Sequence, residues 1–463
     1  MDDNAELVIV ANRLPVQLLH GDEGPRWRTS PGGLVSALTT ALRDRHGQWV
    51  GWAGETGTLE IPERHEGFRL RGVTLSESEY EQFYLGFSNA TIWPLYHDAI
   101  KPARFERQWW HAYVDVNLRY AEATASVAQP GATVWVHDYQ LQLVPQMLRE
   151  RRPDLTIGFF LHIPFPPQEL FLQLPWRRQI LEGIAGADLV GFQVSGAAAN
   201  FARLARRIMG ATGTDSRIEH AGREVRVGAF PVSVDAERLV RAAADPDVQM
   251  RAKQIRADLG DPDRILLGVD RLDYTKGIDL RIRALEELYA DGSLDPVSNI
   301  LIQVASPSRD GDRHYQNERH HLEQLVGQIN GDYGQVGSPV IHYLHQHLDF
   351  KELIALYVAA DVMLVTPLRD GMNLVSKEYV MCRQDGTGAL VLSEFTGAAQ
   401  ELRGAITVNP HDLEGVKDAI RGAVRLSEQE MIGRMRRLRR TVHRSDVHRW
   451  VERFMHALTA SPV

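Results

Sequence analysis

The chain contains very little cysteine and lysine. Cys382 is the only cysteine among 463 residues, so an intramolecular disulfide is excluded. A single thiol is typical of a protein from a reducing compartment. Arginine supplies most of the basic side chains, and the few lysines are at positions 101, 253, 276, 351, 377 and 417.

Long apolar runs and an excess of positive charge are also missing. A bilayer-spanning helix needs roughly 20 consecutive apolar residues, and no such run occurs. The acidic segment 1–6 lacks the basic and apolar parts of a signal peptide. The net charge is −8, which disfavours nucleic acid as a partner. We therefore expect a cytoplasmic protein with no membrane-spanning segment.

The pattern of apolar segments indicates an α/β fold. The composition, 44% hydrophobic and 24% charged, is typical of a globular protein. Strand-length apolar segments alternate with helical stretches, including 34–43 and 141–151, which predicts parallel sheets wrapped by helices. The predicted strands are 7–10, 133–136, 156–161, 188–192, 225–230, 265–269, 299–304, 340–343, 362–365, 389–392 and 405–408.

The chain is long enough for two domains. The alternation pauses after Asp235 in a helical segment rich in Ala, Asp and Arg, and then starts again. We predict an N-terminal domain at 1–235, a C-terminal domain at 236–445 and a closing segment at 446–463. The last helix, 447–458, carries Trp450, Phe454 and Leu458 on one face, so we expect it to dock on a domain surface.

Polar residues follow several predicted strands. In open parallel sheets, ligands collect beyond the carboxyl ends of the strands. Each polar residue alone has an ordinary explanation, such as a helix cap, a surface charge or a core histidine. Their shared position indicates a binding site. The residues are Arg13, Asp138, His162, Arg271, Lys276 and Arg309, together with Gly33 in a turn that leads into an early helix.

The segment 366–379 has the strongest resemblance to a binding site. An apolar strand, a turn at 369–371 and a helix from about Leu374 form an anion site, because N–H groups and the helix dipole face the ligand. Asp370 and Glu378 add acceptors that suit sugar hydroxyls. An ordinary strand-to-helix turn is the alternative when this segment is considered alone.

Two groups of cationic residues suggest two phosphorylated substrates. Arg271 and Lys276 lie in one loop and can neutralise a diphosphate without a metal. Such cations also stabilise the charge that develops on a diphosphate leaving group. A second anion site with an aromatic wall is suggested by Arg13, Arg309, Tyr84 and Trp93. The two sites together favour a sugar nucleotide donor and a phosphorylated acceptor.

No metal or other cofactor is expected. Three Asp-x-Asp patterns could in principle hold a divalent cation, but the pattern is short and none directly follows an apolar strand. They are Asp245-Pro-Asp247, Asp261-Pro-Asp263 and Asp310-Gly-Asp312. Spacings typical of zinc ligands and of a Walker lysine are absent from the sequence.

Seven motifs together carry a family resemblance. They are Asn12-Arg13-Leu-Pro, Gly32-Gly33-Leu, Phe87-Ser-Asn-Ala-Thr-Ile-Trp93-Pro, Trp135-Val-His-Asp138-Tyr, Gly158-Phe-Phe-Leu-His162-Ile-Pro-Phe-Pro, Arg271-Leu-Asp-Tyr-Thr-Lys276-Gly and Arg369-Asp370-Gly-Met-Asn-Leu-Val. In this order, from about residue 7 to 458, the sequence resembles glycosyltransferase family 20, the trehalose-6-phosphate synthases. The resemblance implies a GT-B glycosyltransferase, in which two Rossmann-like domains face each other across a cleft and a final helix returns to the first domain.

The resemblance also implies an activity. It is the transfer of glucose from a nucleoside diphosphate glucose, with UDP-glucose expected, to glucose 6-phosphate, which gives trehalose 6-phosphate. The anomeric configuration is retained. Retention in two steps needs a carboxylate nucleophile on the far face of the sugar, and the sequence offers no clear candidate. A front-face mechanism, in which the departing phosphate helps to deprotonate the acceptor, therefore fits better.

Residue roles follow from the same resemblance. The acceptor would be held by Arg13, Tyr84, Trp93, Asp138 and Arg309. The donor would be held by Gly33, His162, Arg271, Lys276, Asp370, Gly371, Met372, Asn373, Leu374, Val375 and Glu378, with Glu378 at the ribose. The expected catalytic residues are Asp138, His162, Arg271, Lys276 and Asp370.

Several alternatives stay open at this point. A related synthase could use glycerol 3-phosphate or a cyclitol phosphate as acceptor, a sugar-nucleotide epimerase could share the fold, and a non-catalytic homologue could bind without reacting. A homo-oligomer is expected. The sequence does not fix the donor nucleobase, the motion of loop 16–30 or regulation.

Overall fold

The chain divides into two units in the computed structural model. Unit 1 comprises residues 1–232 and 447–463, and unit 2 comprises residues 233–446. The structure describes residues 5–21, 24–29, 35, 38–39, 42, 47–57, 59–307 and 313–460. Gly33, Arg309 and most of the predicted helix 34–43 lie outside the described residues.

Unit 1 is built on a large sheet. Its strands are β1 (Ala5–Arg13), β2 (Val16–Gly21), β3 (Gly24–Thr29), β4 (Gln48–Trp52), β5 (Arg64–His65), β6 (Phe68–Val73), β7 (Ala128–His137), β8 (Thr156–Phe160), β9 (Leu189–Phe192), β10 (Thr212–Gly213), β11 (Arg217–His220) and β12 (Arg223–Ala229). The order in the sheet is β10-β11-β12-β9-β8-β7-β1-β4-β6-β5, while β2 and β3 form a separate antiparallel hairpin. The strands from β12 to β6 are parallel.

Unit 2 contains a parallel sheet. Its strands are β13 (Arg264–Arg271), β14 (Asn299–Ser306), β15 (Ile341–Leu344), β16 (Val362–Val365), β17 (Ala389–Ser393) and β18 (Ile406–Val408). They are arranged in the order β15-β14-β13-β16-β17-β18, and every pairing among them is parallel.

Helices connect the strands in both units. In unit 1 the α-helices are Glu77–Glu79, Trp93–Tyr96, Arg107–Val127, Val144–Arg151, Gln168–Phe171, Arg177–Ala185, Ser195–Leu204 and Val447–Thr459, with π-helical segments Tyr80–Ile92 and Ala205–Met209. In unit 2 they are Ala236–Ala243, Pro246–Asp258, Ile278–Ala290, Arg313–Tyr333, Phe350–Ala359, Leu374–Cys382, Leu413–Val424 and Glu428–Arg444. Short 3₁₀ turns are Tyr139–Leu141, Tyr274–Lys276 and Gly397–Gln400. Within the described part of the chain, no helix is long and apolar enough to cross a membrane.

The structure confirms the predicted strands, which were recognisable in the sequence because they are buried. Central strands such as β16 and β17 are buried along their whole length, so they appear in the sequence as continuous apolar runs. The predicted helix 141–151 begins later, at Val144, because a 3₁₀ turn precedes it and Pro145 occupies the first helical turn. Strands β2 to β6, β10 and β11 were not predicted.

The strand order of each sheet reverses at one place. In unit 2, β14 and β15 lie on one side of β13, and β16 to β18 lie on the other. In unit 1, β4 and β6 lie on one side of β1, and β7 lies on the other. Ligands of doubly wound sheets bind beyond the carboxyl ends of the strands at such reversals. The loops after β1 and β7, and after β13 and β16, are therefore where ligands are expected.

The last helix, Val447–Thr459, packs on the sheet of unit 1. Phe454 stacks on Trp135 with ring centroids 4.3 Å apart. A Cβ atom at Gly158 or Gly191 would come within 2.9 or 2.6 Å of the Phe454 ring, so the helix can approach only because these residues are glycine. Arg226 donates a hydrogen bond of 2.9 Å to the Leu458 carbonyl near the helix end.

Candidate active site

The loops after β13 and β16 bring Lys276 and Asp370 together. The Lys276 Nζ atom lies 2.7 Å from Asp370 Oδ2, and the two side chains are only 10% and 17% exposed. Lys276 ends a 3₁₀ turn that Asp273 closes by accepting hydrogen bonds from the Thr275 N–H and hydroxyl. Because β13 and β16 are neighbouring parallel strands, their ends meet at the sheet reversal, where a cation and a carboxylate now lie ready for a polar ligand.

A buried arginine supports this loop from below. Arg281 is fully buried and donates hydrogen bonds of 2.9 Å to the carbonyl oxygens of Lys276 and Leu364. Its guanidinium also pairs with Asp270 at 2.8 Å. Arg281 thus links the end of β16 to the Lys276 loop and fixes the position of the Lys276 backbone. Arg271, at the end of β13, is exposed.

The amino end of the helix Leu374–Cys382 adds backbone donors. Asn373 caps it, with Oδ1 accepting from the Ser376 N–H at 2.9 Å and Nδ2 lying 3.3 Å from Asp370 Oδ2. The N–H groups of Leu374 and Val375 belong to the first turn and have no partner within the helix. They are the donors that an anion at a helix start uses.

The residues that lead into this helix are held in place. The Met372 carbonyl accepts a hydrogen bond of 3.1 Å from the Ala398 N–H. Gly371 approaches Gly397 so closely that a Cβ atom at Gly397 would overlap the Gly371 carbonyl. Asn373 has a φ of 99°, which is rare for a residue other than glycine. Such strain is concentrated at binding sites.

One turn into the helix, Glu378 and Lys377 have different environments. Glu378 Oε2 accepts a hydrogen bond of 2.9 Å from the Tyr357 hydroxyl, and burial raises the pKa of its carboxyl group. Lys377 is buried in an ion pair of 2.6 Å with Glu401, which indicates a structural role.

In unit 1, Asp138 and His162 lie at the ends of the neighbouring strands β7 and β8. Asp138 Oδ1 accepts a hydrogen bond of 3.2 Å from the His162 backbone N–H, and the Asp138 N–H donates to the Phe160 carbonyl at 2.8 Å. Asp138 has φ 74° and ψ 172°, a region that essentially only glycine occupies, at a cost of about 1–3 kcal/mol. The surrounding hydrogen bonds hold the aspartate in this conformation.

Two histidine rings pack together beside Asp138. His137 Nδ1 lies 3.1 Å from His162 Nε2. Burial lowers the pKa of His162 to about 3 and that of His137 well below its ordinary value. Both rings are therefore neutral near pH 7, so His162 can act through hydrogen bonds but not through charge.

Strand β1 ends at Arg13, whose side chain lies above an aromatic cluster. The Arg13 guanidinium lies 4.4 Å from the Trp52 ring centroid, and the ring centroids of Trp52 and Tyr84 are 6.0 Å apart. Trp52 therefore joins two predicted acceptor residues, and the sequence interpretation missed it. Trp52 ends β4 and pairs in register with Arg13, a neighbour that the sequence alone does not indicate. The predicted Trp93 is 4% exposed and packs against the Tyr139 ring.

The Asp-x-Asp patterns that the structure describes are engaged elsewhere or exposed. Asp245 caps the helix Pro246–Asp258, and Lys351 lies 3.0 Å from Asp245 and 3.4 Å from Asp247. Among the described residues, no group of three or more His, Cys, Asp or Glu side chains is arranged to hold a metal ion. Asp310 and Asp312 lie outside those residues.

Solved structures with the same fold define the class of protein. A structure from E. coli bound with UDP-2-fluoro glucose has a TM-score of 0.90, is 35% identical and covers 99% of this chain and 100% of its own. A UDP-forming α,α-trehalose-phosphate synthase from Burkholderia xenovorans in complex with glucose-6-phosphate has a TM-score of 0.90, is 33% identical and covers 98% of this chain and 100% of its own. The fold is that of a GT-B glycosyltransferase, as predicted.

The chain belongs to glycosyltransferase family 20, whose model matches residues 5–460. The trehalose-6-phosphate synthase of Mycolicibacterium smegmatis is 56% identical over 99% of this chain and 93% of its own length. That of Mycobacterium avium is 56% identical over 99% of this chain and 96% of its own length. The predicted family is therefore confirmed.

Proposed function

We propose that the chain transfers glucose from a nucleoside diphosphate glucose to glucose 6-phosphate and forms trehalose 6-phosphate with retention at the anomeric carbon. The ion pair of Lys276 with Asp370 at the sheet reversal of unit 2 carries the proposal. It places a cation for a diphosphate beside a carboxylate for sugar hydroxyls, next to a helix amino end. The family of the chain supplies the reaction that uses such a site.

The donor is held mainly by unit 2. Arg271 and Lys276 neutralise the diphosphate, and the N–H groups of Leu374 and Val375 donate to its oxygens. Asp370 accepts from the glucose hydroxyls. Roles at the ribose for Glu378 and at the glucose for His162 belong to the same proposal, as does Gly33 at the diphosphate. UDP-glucose is the proposed donor, since the similar E. coli structure is bound with a UDP sugar.

The acceptor is held by unit 1. Arg13 on its Trp52 platform, with Tyr84, Trp93 and Arg309, binds the phosphate end of glucose 6-phosphate. Asp138 binds the hydroxyl groups near the reacting oxygen. The similar Burkholderia xenovorans structure is in complex with glucose-6-phosphate, which favours this acceptor over glycerol 3-phosphate or a cyclitol phosphate.

The chemical step needs stabilisation of the leaving diphosphate. Lys276 and the helix N–H groups are held in place before the reaction, and Arg271 adds a further positive charge. The charge that develops in the transition state therefore meets donors already in place. The departing phosphate takes the acceptor proton on the same face. We propose that no metal or other cofactor takes part, because these cations supply the necessary charge. Full activity after EDTA treatment and gel filtration is the expected result.

Kinetics with a panel of substrates test the function. UDP-, ADP- and GDP-glucose are each offered with glucose 6-phosphate, glycerol 3-phosphate and a cyclitol phosphate, and the nucleoside diphosphate released is measured. We expect the highest kcat/KM for UDP-glucose with glucose 6-phosphate. Turnover only with another acceptor would replace the proposed reaction by that of a related synthase, and hydrolysis or binding without transfer would overturn it.

We also propose a cytoplasmic homo-oligomer. The buried free thiol of Cys382 suits a reducing compartment. Light scattering on the purified chain tests the assembly, and a monomer at micromolar concentration would contradict it. Cell fractionation tests the location.

A further inference from the structure

The ring of His137 lies behind the ring of His162 in the site. His137 Nδ1 is 3.1 Å from His162 Nε2, and the two rings face each other edge to edge, with centroids 5.4 Å apart and planes 22° apart. His137 itself is 3% exposed, so it does not reach a ligand. It contacts the side chain that is proposed to do so.

We propose that His137 is a positioning residue that donates its Nδ1–H to His162 Nε2, so that His162 is held as the Nδ1–H tautomer and offers that N–H to a sugar hydroxyl. The use of this donor on the glucose of the donor substrate rests on the proposed function. The direction of the hydrogen bond between the two rings does not.

The direction follows from the far side of the His137 ring. Its Nε2 atom is buried and has no hydrogen-bond partner among the described residues. The ring packs against the aromatic side chains of Trp135 and Phe160, at centroid distances of 4.7 and 6.5 Å. If His162 donated, His137 would carry its hydrogen on Nε2 and bury an N–H group without an acceptor. A bare lone pair in that position is the less costly arrangement.

Burial keeps both rings neutral. The pKa of each ring is lowered far below neutral pH by desolvation. A neutral imidazole has one N–H, so a hydrogen bond at one nitrogen decides what the other nitrogen offers. With Nε2 accepting from His137, His162 keeps Nδ1–H as its donor.

The consequence for the reaction is fixed polarity. A sugar hydroxyl that accepts from His162 Nδ1–H keeps its own hydrogen for another acceptor. Without His137, His162 could exchange tautomers and rotate, and it would present a lone pair for part of the time. Groups that orient a metal-ligating histidine typically change affinity or activity by about 10- to 100-fold when removed, and we expect an effect of similar size for a histidine that orients a sugar hydroxyl.

Two substitutions of nearly equal shape separate the hydrogen bond from packing. His137→Asn keeps an N–H donor close to the position of Nδ1, whereas His137→Leu fills similar space without a donor. We expect His137→Leu to lower kcat/KM for UDP-glucose about 10- to 100-fold, with the KM of glucose 6-phosphate little changed. His137→Asn should retain most of the kcat/KM of the parent chain. Equal kinetic effects of the two variants, or no effect of His137→Leu, would overturn the positioning role.

A spectroscopic measurement tests the tautomer directly in the full-length protein without substrate. The chain is labelled with ¹⁵N-histidine, and the His162 signals are identified by their loss in His162→Asn. We expect a protonated Nδ1 and an unprotonated Nε2 on His162 at pH 7.5. A protonated Nε2 would overturn the inference even if the chain makes trehalose 6-phosphate. Absence of that product with the expected tautomer would instead overturn the proposed function alone.

Discussion

The carboxylate of Asp370 lies 2.7 Å from the ammonium group of Lys276, although 94 residues separate them in the sequence. Each residue lies in a loop at the carboxyl edge of a parallel sheet, and the two loops follow the neighbouring strands β13 and β16. Both side chains are mostly buried, so neither charge is strongly screened by water. A diphosphate that enters would find the cation already oriented by the carboxylate.

Removal of this cation should therefore damage the chemical step more than the fold. For Lys276→Met we expect kcat to fall about 100- to 1000-fold, as for loss of a preorganised donor to a developing negative charge. Lys276→Arg should not restore it, because a guanidinium has a different shape from an ammonium group. Lys351→Met is the control, since Lys351 is 59% exposed in its surface ion pairs. An unchanged kcat in Lys276→Met would contradict the assignment.

Arg13 should affect the acceptor and not the donor. Loss of a charged hydrogen bond is worth about 1.5–3 kcal/mol, so Arg13→Ala should raise the KM of glucose 6-phosphate by about 10- to 100-fold. Calorimetric titration with UDP should give an unchanged Kd. Arg207→Ala, which removes an exposed arginine on the same unit, should change neither quantity. Equal weakening of UDP binding in Arg13→Ala would show that Arg13 serves the donor instead.

Because of the backbone conformation of Asp138, we expect replacement by glycine to leave the protein more stable than replacement by alanine, the reverse of the usual order. Both Asp138→Ala and Asp138→Gly remove the carboxylate, and both should abolish most activity. Glycine tolerates φ 74° and alanine does not, so the free energy of unfolding should be about 1–3 kcal/mol higher for Asp138→Gly. Urea denaturation of the two variants measures this difference. An alanine variant as stable as the glycine variant would mean that the backbone is not strained there.

The neutral histidine pair predicts a loss of stability in acid. In the unfolded chain both rings take up protons as the pH falls below about 6.5. In the folded chain burial keeps His162 neutral down to about pH 3 and lowers the pKa of His137 well below its ordinary value. The unfolded state then binds more protons, so stability falls with pH by up to about 1.4 kcal/mol per pH unit for each histidine.

The matched test uses denaturation at pH 7.5, 6.5 and 5.5. The stability of His137→Asn should fall less steeply between pH 6.5 and 5.5 than that of the parent chain, because one titrating ring is missing. Parallel curves for the two proteins would contradict a neutral His137 in the folded state.

The strands around the site were predictable because they are buried on both faces. β13 and β16 appear as continuous apolar runs, and the polar residues that follow them, such as Arg271 and Asp370, mark the strand ends. β4 was missed because its sequence, Gln48-Trp-Val-Gly-Trp52, combines a polar residue, a glycine and two large rings. Its burial becomes evident only when β1 and β6 pair with it.

Contacts between predicted residues were less accessible to sequence reasoning. His162 was predicted at a strand end, but its contact with His137 depends on the parallel register of β7 and β8, in which His137 pairs with Phe160. The Trp52 platform under Arg13 arises in the same way from the register of β1 and β4. Sequence spacing carries no information about such neighbours, because the strands are joined by long connections.

The most direct test of the central claim is the product formed from UDP-glucose and glucose 6-phosphate. The purified chain is incubated with both substrates, and the product is identified by proton NMR and mass spectrometry. We expect trehalose 6-phosphate in which both anomeric protons have the small coupling of an α linkage. A β-linked product, or no trehalose 6-phosphate from any nucleoside diphosphate glucose, would contradict the central claim.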